Sequence, residues 1–150
     1  DLPNEYILLY QVNHNKDLCK NADAFAKRKG MKLIRVTNDM SEIFWGEGFT
    51  YLPTPAQFLY IIKNAKYVIT DSFHGTCFCI NFNKNFIDVL PENHSQRNRS
   101  VLEFFNLTDR IIVGDKFDLV EQGINWSKVN NILIEQREIS MKKLNNLCEI

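Results

Sequence analysis

The residues with the clearest capacity for chemistry fall in one short stretch, Asp71-Ser72-Phe73-His74-Gly75-Thr76, lodged between two apolar runs. An imidazole has an ordinary pKa of about 6.5 and exchanges a proton at neutral pH. If the following apolar run is a helix, its first backbone donors lack partners and carry the positive end of the dipole. A phosphate or carboxylate is the natural guest there. Gly75 lets such a group approach the backbone. A plainer account also stands, because a lone histidine at a helix start can be a wall residue, and Asp71 and Ser72 are ordinary turn and cap chemistry. Downstream, His94, Arg97 and Arg99 lie in a polar, proline-containing loop over residues 91–99. An arginine fork can clamp an anion, although solvated surface charge explains these side chains equally well. His14, after the first apolar run, reads as a surface-turn histidine. No glycine-rich phosphate cradle, GxSxG elbow, HExxH pair or metal-ligand cluster is present, so nucleotide hydrolysis, serine-hydrolase and zinc chemistry are unsupported.

Composition narrows the field further. The chain has 150 residues, 45% of them hydrophobic, and 18 basic residues balance 18 acidic ones. It is one domain's worth of sequence, and a zero net charge argues against a nucleic-acid or anionic-membrane binder that relies on bulk charge. Aromatic residues make up 12%, which disfavours disorder. No apolar stretch reaches the roughly 20 residues of a membrane span, and the start lacks a signal pattern. The cysteines, Cys19, Cys77, Cys79 and Cys148, form no CxxC pair. Cys77 and Cys79, two apart in an apolar run, read as small buried hydrophobes, and a reducing cytoplasm is the default compartment.

The elements that must position the 71–76 stretch alternate along the chain. Residues 5–12 and 31–36 read as strands around a helix at 17–28, which has Leu18, Ala22, Phe25 and Ala26 on one face. The segment 37–53 is irregular, with a short strand near 49–52. It either closes over a ligand or packs. Thr54-Pro55 opens a helix with Phe58, Leu59, Ile62 and Ala65 inward, and 67–70 is the next strand. A short helix then runs to Phe82, followed by a strand at 86–90, a helix to Phe105 after the 91–99 loop, and a strand at 110–113. A long helix over 126–147 has Val129, Leu133, Ile139, Leu144 and Leu147 close to one stripe. This pattern predicts a single α/β domain over 1–150, a Rossmann-like parallel sheet with helices on both faces. Ligands of such sheets bind on the loops beyond the strands' carboxyl ends.

The run from Phe58 to Thr76 (FLYIIKNAKYVITDSFHGT) and its continuation Phe82-Asn83-Lys84-Asn85-Phe86-Ile87 strongly resemble the polysaccharide pyruvyl transferase family. Arg97-Asn98-Arg99-Ser100-Val101-Leu102 and Asn106 to Ile112 are similar to that family's downstream pattern. The resemblance implies one lobe of a B-type glycosyltransferase architecture, in which two Rossmann-like lobes face a cleft. It implies transfer of the enolpyruvyl unit of phosphoenolpyruvate to saccharide hydroxyls as a ketal, with release of phosphate. Phosphoenolpyruvate is then a co-substrate, and no cofactor or metal is called for. The family's N-terminal lobe, with its glycine-rich opening motif, is missing from this sequence. The resemblance therefore implies a C-terminal lobe that is inactive alone and has that lobe as its partner. It also implies a place in surface-polysaccharide assembly, in the cytoplasm or at the inner face of the membrane.

On this resemblance His74 is the catalytic residue, either as the acid that protonates the methylene carbon or as a cationic anchor. Ser72 and Phe73 shape the pocket, Gly75 and Thr76 present backbone donors, and Arg97 or Arg99 adds cationic charge. Two other readings compete: a sugar-nucleotide-dependent glycosyltransferase-like lobe, and a non-catalytic binding domain in the same pathway.

Overall fold

Short aliphatic runs form the strands here, and amphipathic stretches with capped starts form the helices. The computed structural model describes residues 2–37, 39–45, 48–90 and 95–148. Its elements are β1 (Tyr6–Tyr10), α1 (Lys16–Arg28), β2 (Lys32–Thr37), β3 (Phe49–Tyr51), α2 (Pro55–Asn64), β4 (Tyr67–Thr70), α3 (Phe73–Asn81), β5 (Asn85–Val89), α4 (Gln96–Phe104), β6 (Ile111–Ile112) and α5 (Trp126–Cys148). Short 3-10 helices occupy Met40–Trp45, Thr108–Arg110 and Phe117–Glu121. The strands form one six-stranded sheet in the order β3-β2-β1-β4-β5-β6. Every neighbouring pair is parallel. The order reverses beside β1, which lies between β2 and β4, so a switch point opens at the carboxyl ends of β1 and β4.

Alternation along each strand divides the core between the two faces of the sheet. Tyr6, Leu8, Val68 and Phe86 pack with Ile61 and Ile62 of α2, Ile80 of α3, Leu102 of α4 and Val129 of α5. Ile7, Leu9, Ile69 and Ile87 pack with Leu18, Ala22 and Phe25 of α1 and with Phe117 and Val120. The starts of α1 and α2 are capped by side chains. Asn15 caps α1 through Leu18 N, and Thr54 forms a reciprocal capping box with Gln57 on α2.

Three parts of the chain depart from the sequence expectations. The sequence pattern assigns no element to residues 117–121, yet Phe117 is buried against Phe25 with ring centroids 5.8 Å apart. Arg28 and Lys29 reach across to Asp118 and Glu121, each at 2.7 Å. Buried Arg110 holds the same segment by donating to the Leu119 and Gln122 carbonyls. On α2, Leu59 is exposed and Ile61 takes the inward place. On α5 only Val129 is buried, whereas Ile139, Leu144 and Leu147 are exposed. The helix outruns the sheet, so its apolar stripe has no core beneath its later turns.

Candidate functional site

The site is built at the switch point by a buried carboxylate. Asp71, immediately after β4, accepts from Val12 N at 2.7 Å, Asn13 N at 3.1 Å and Asn13 Nδ2 at 3.0 Å. Burial pushes its carboxyl above the usual range, and these hydrogen bonds pull it back. A second stitch lies one residue earlier. The Thr70 hydroxyl donates to the Tyr10 carbonyl at 2.7 Å and accepts from Ser72 N at 3.0 Å. The loops that leave β1 and β4 are therefore fixed to each other.

Ser72 is buried and caps α3, its Oγ accepting from Gly75 N at 3.4 Å. Thr76 N is taken by the Ser72 carbonyl at 2.9 Å. The donors expected from Gly75 and Thr76 are thus spent inside the first turn. The backbone N–H groups of Phe73 and His74 are the ones that meet no protein acceptor among the described residues. Gly75 serves packing, because a methyl there would overlap the Thr70 hydroxyl and come within 3.0 Å of the Tyr10 ring. Gly75→Ala is expected to cost about 1–3 kcal/mol, the usual penalty for overpacking. A urea midpoint unchanged from the parent would contradict this.

His74 is exposed on the first turn of α3, beside the Phe73 ring at a centroid distance of 5.6 Å. One helical turn further along the same face, Phe78 lines a cleft of about 420 Å³ together with Tyr10, Val36, Leu52, Phe58 and Leu59. The face of α3 that begins with His74 thus leads into a largely apolar cleft. On the other flank the Arg97 guanidinium stacks over Phe73 at 5.3 Å. α4 begins at Gln96, so Arg97 and Arg99 belong to a helix and not to a loop. Residues two apart on a helix point to different sides. Arg97 thus faces the 71–75 loop, and Arg99 makes no side-chain contact with that loop among the described residues. His94 lies outside the described residues.

Beneath the helix start runs a polar network that sequence reasoning missed. Asp88 at the end of β5 accepts from Thr76 Oγ1 at 2.6 Å and from Asn98 Nδ2 at 2.9 Å. Asn98 Nδ2 also lies 3.5 Å from the Asp71 carbonyl, so α4 is pinned to the sheet directly below the site. The signal was slight, a lone aspartate at a strand end and an asparagine between two arginines.

Burial raises the Asp88 carboxyl from 3.8 to about 6, with the charge of Asp71 adding to it and the Thr76 and Asn98 hydrogen bonds opposing it. The folded state then holds this proton more tightly than the unfolded chain does. Stability contributed here is present below pH 4 and is lost as the pH rises to 6, about 3 kcal/mol at full ionisation. Asp88→Asn keeps an acceptor for Asn98, and its amide donates to Thr76, whose hydroxyl turns to the Ser72 carbonyl 3.1 Å away. The variant is expected to show a flatter fall in urea midpoint between pH 4 and 7, and an unchanged slope would refute this.

Among the described residues, no group of three or more His, Cys, Asp or Glu side chains is placed to hold a metal. No helix among them is long and apolar enough to cross a membrane. The strand order and the loops gathered at its reversal define a Rossmann-like α/β domain with a switch-point site. The family model for polysaccharide pyruvyl transferase matches residues 1–94, from before β1 to beyond β5 and including the 71–75 loop. The chain belongs to that family. Arg97 and Arg99 lie beyond the matched residues. No curated protein matches the chain.

Proposed function

We propose that this chain is the C-terminal lobe of a pyruvyl transferase of B-type glycosyltransferase architecture. It moves the enolpyruvyl unit of phosphoenolpyruvate onto two saccharide hydroxyls as a ketal and releases phosphate. The observation that carries this reading is the exposed imidazole of His74 at the rim of the switch point, beside the open amides of Phe73 and His74 and one helix away from Arg97. Phosphoenolpyruvate is a small trianion. Amides at a helix start and a guanidinium with no acidic partner among the described residues form a suitable anion cradle.

The chemistry balances without a cofactor. The methylene carbon takes a proton and becomes a methyl group, and two hydroxyl oxygens bond to the neighbouring carbon. The phosphate leaves with the electrons of its own C–O bond. Two hydroxyl protons depart, one matching the proton gained by carbon and the other leaving with phosphate. His74 serves this sequence as the acid at carbon or as the anchor of the anion. The adjoining cleft accepts the apolar face of a sugar ring against Tyr10, Phe58 and Phe78. The partner is an N-terminal lobe that closes the cleft, and the setting is the cytoplasmic side of surface-polysaccharide assembly.

Titration of the ¹⁵N-labelled chain with phosphoenolpyruvate tests the reading. Shifts confined to Phe73, His74 and the Arg97 region are the expected result. A response of the same loop to nucleotide sugars and none to phosphoenolpyruvate would replace this reading with a glycosyltransferase one.

A further inference from the structure

A second histidine stands on the neighbouring strand end with a geometry that a surface-turn residue does not need. His14 follows β1 by a few residues, and its Nδ1 lies 2.8 Å from Glu42 Oε1 and 3.5 Å from Asp39 Oδ2. The Glu42 side chain is only 3% exposed, whereas that of His14 is 55% exposed. A carboxylate offers only acceptors, so Nδ1 carries the proton and the Nε2 lone pair is left to face outward. Nε2 has no partner among the described residues. This is the arrangement in which a buried acid sets the tautomer and orientation of a working imidazole and stabilises it once protonated.

The backbone that carries Glu42 is itself held. Arg35 of β2, buried, donates from Nη1 to the Glu42 carbonyl at 3.0 Å. The loop that bears His14 is tied by Asp71 to the loop that bears His74, through the hydrogen bonds from Val12 and Asn13. One carboxylate thus ties together the two loops, on adjacent strand ends, that bear the histidines.

We propose that His14 is a catalytic residue of this site and Glu42 its positioning residue. His14 Nε2 takes the proton of the attacking saccharide hydroxyl while that oxygen bonds to the enolpyruvyl carbon. The proton then passes to the departing phosphate. The assignment rests on the pyruvyl-transfer reading and completes it, since His74 alone cannot both give a proton to carbon and take one from oxygen in the same step.

The test uses the enzyme with both lobes, phosphoenolpyruvate, and a panel of methyl glucosides, galactosides and mannosides as acceptors. His14→Gln is expected to lower kcat by about 10²–10⁴-fold, the usual contribution of a positioned base, while the KM for phosphoenolpyruvate stays within about twofold. The acidic limb of its pH–rate profile should vanish. The groups that face this imidazole are Glu42 and Asp39, with Arg35 behind Glu42, and none of them is altered in that variant. Glu42→Gln should show a smaller loss of kcat with the same KM. Added imidazole should restore rate to His14→Gly, which a merely structural side chain would not allow. Full turnover by His14→Gln in an enzyme that transfers pyruvate overturns this assignment alone. A parent enzyme that neither binds phosphoenolpyruvate nor releases phosphate from it overturns the functional reading, and this assignment with it.

Discussion

His74→Ala in the two-lobed enzyme is expected to lower pyruvyl transfer by at least about 10²–10⁴-fold, the range for removal of a positioned acid. The side chain is exposed and its one ring contact among the described residues is with Phe73, so the melting temperature should stay within a degree or two of the parent's. Steady-state kinetics separates the two roles left open. A fall in kcat at constant KM identifies the proton donor, because only the transition state loses an interaction. A large rise in the KM for phosphoenolpyruvate with kcat nearly intact identifies the anion anchor. His74→Gln retains a hydrogen-bond donor without the charge and sharpens the distinction. Turnover near the parent's in both variants would remove His74 from the site.

Asp71→Ala should be the most destabilising single change at the rim. It removes a charged acceptor from Val12 N, Asn13 N and Asn13 Nδ2. Hydrogen bonds to charged groups contribute about 1.5–3 kcal/mol each. Water replaces part of this, since Val12 and Asn13 are exposed, and relief of the carboxylate's own burial offsets more. A net loss of about 2–4 kcal/mol remains, measurable as a drop in urea midpoint. The more telling readout is spectroscopic. Resonances of both loops, around His14 and around His74, should shift together in Asp71→Ala. Perturbation restricted to residues next to Asp71 would show that the two loops are positioned independently.

The layered architecture was legible in the sequence because the strands are short, uninterrupted aliphatic runs and the helices open on good caps. Tyr67–Thr70 matches the expected strand residue for residue, and the Thr54-Pro55 start of α2 is where its capping box forms. The position of His74 was legible for the same reason, since a strand followed at once by a short apolar helix leaves few places for the intervening loop. What escaped were interactions between distant residues of ordinary type. Asp71 looks like turn chemistry until Val12 and Asn13 fold back onto it, and Asp88 and Asn98 acquire meaning only across a strand and a helix. His14 is exposed, as a surface-turn histidine should be, but its pairing escaped because Glu42, the side chain that orients it, belongs to the 3-10 helix Met40–Trp45. The irregular composition of residues 37–53 gives no periodic signal there. The stripe on α5 misled in the opposite sense, because periodicity reports amphipathicity and not whether a core lies opposite.

The strand order also constrains how the protein is made. β1 occupies the middle of the sheet, and its Tyr10 faces Thr70 of β4, a partner 60 residues later. At a ribosomal pace of about 5–20 residues per second, one side of this central strand waits roughly 3–12 s for its neighbour to emerge. During synthesis the β1–α1–β2 portion therefore carries one edge of its central strand unpaired, its backbone N–H and C=O groups open to any competing strand until β4 emerges.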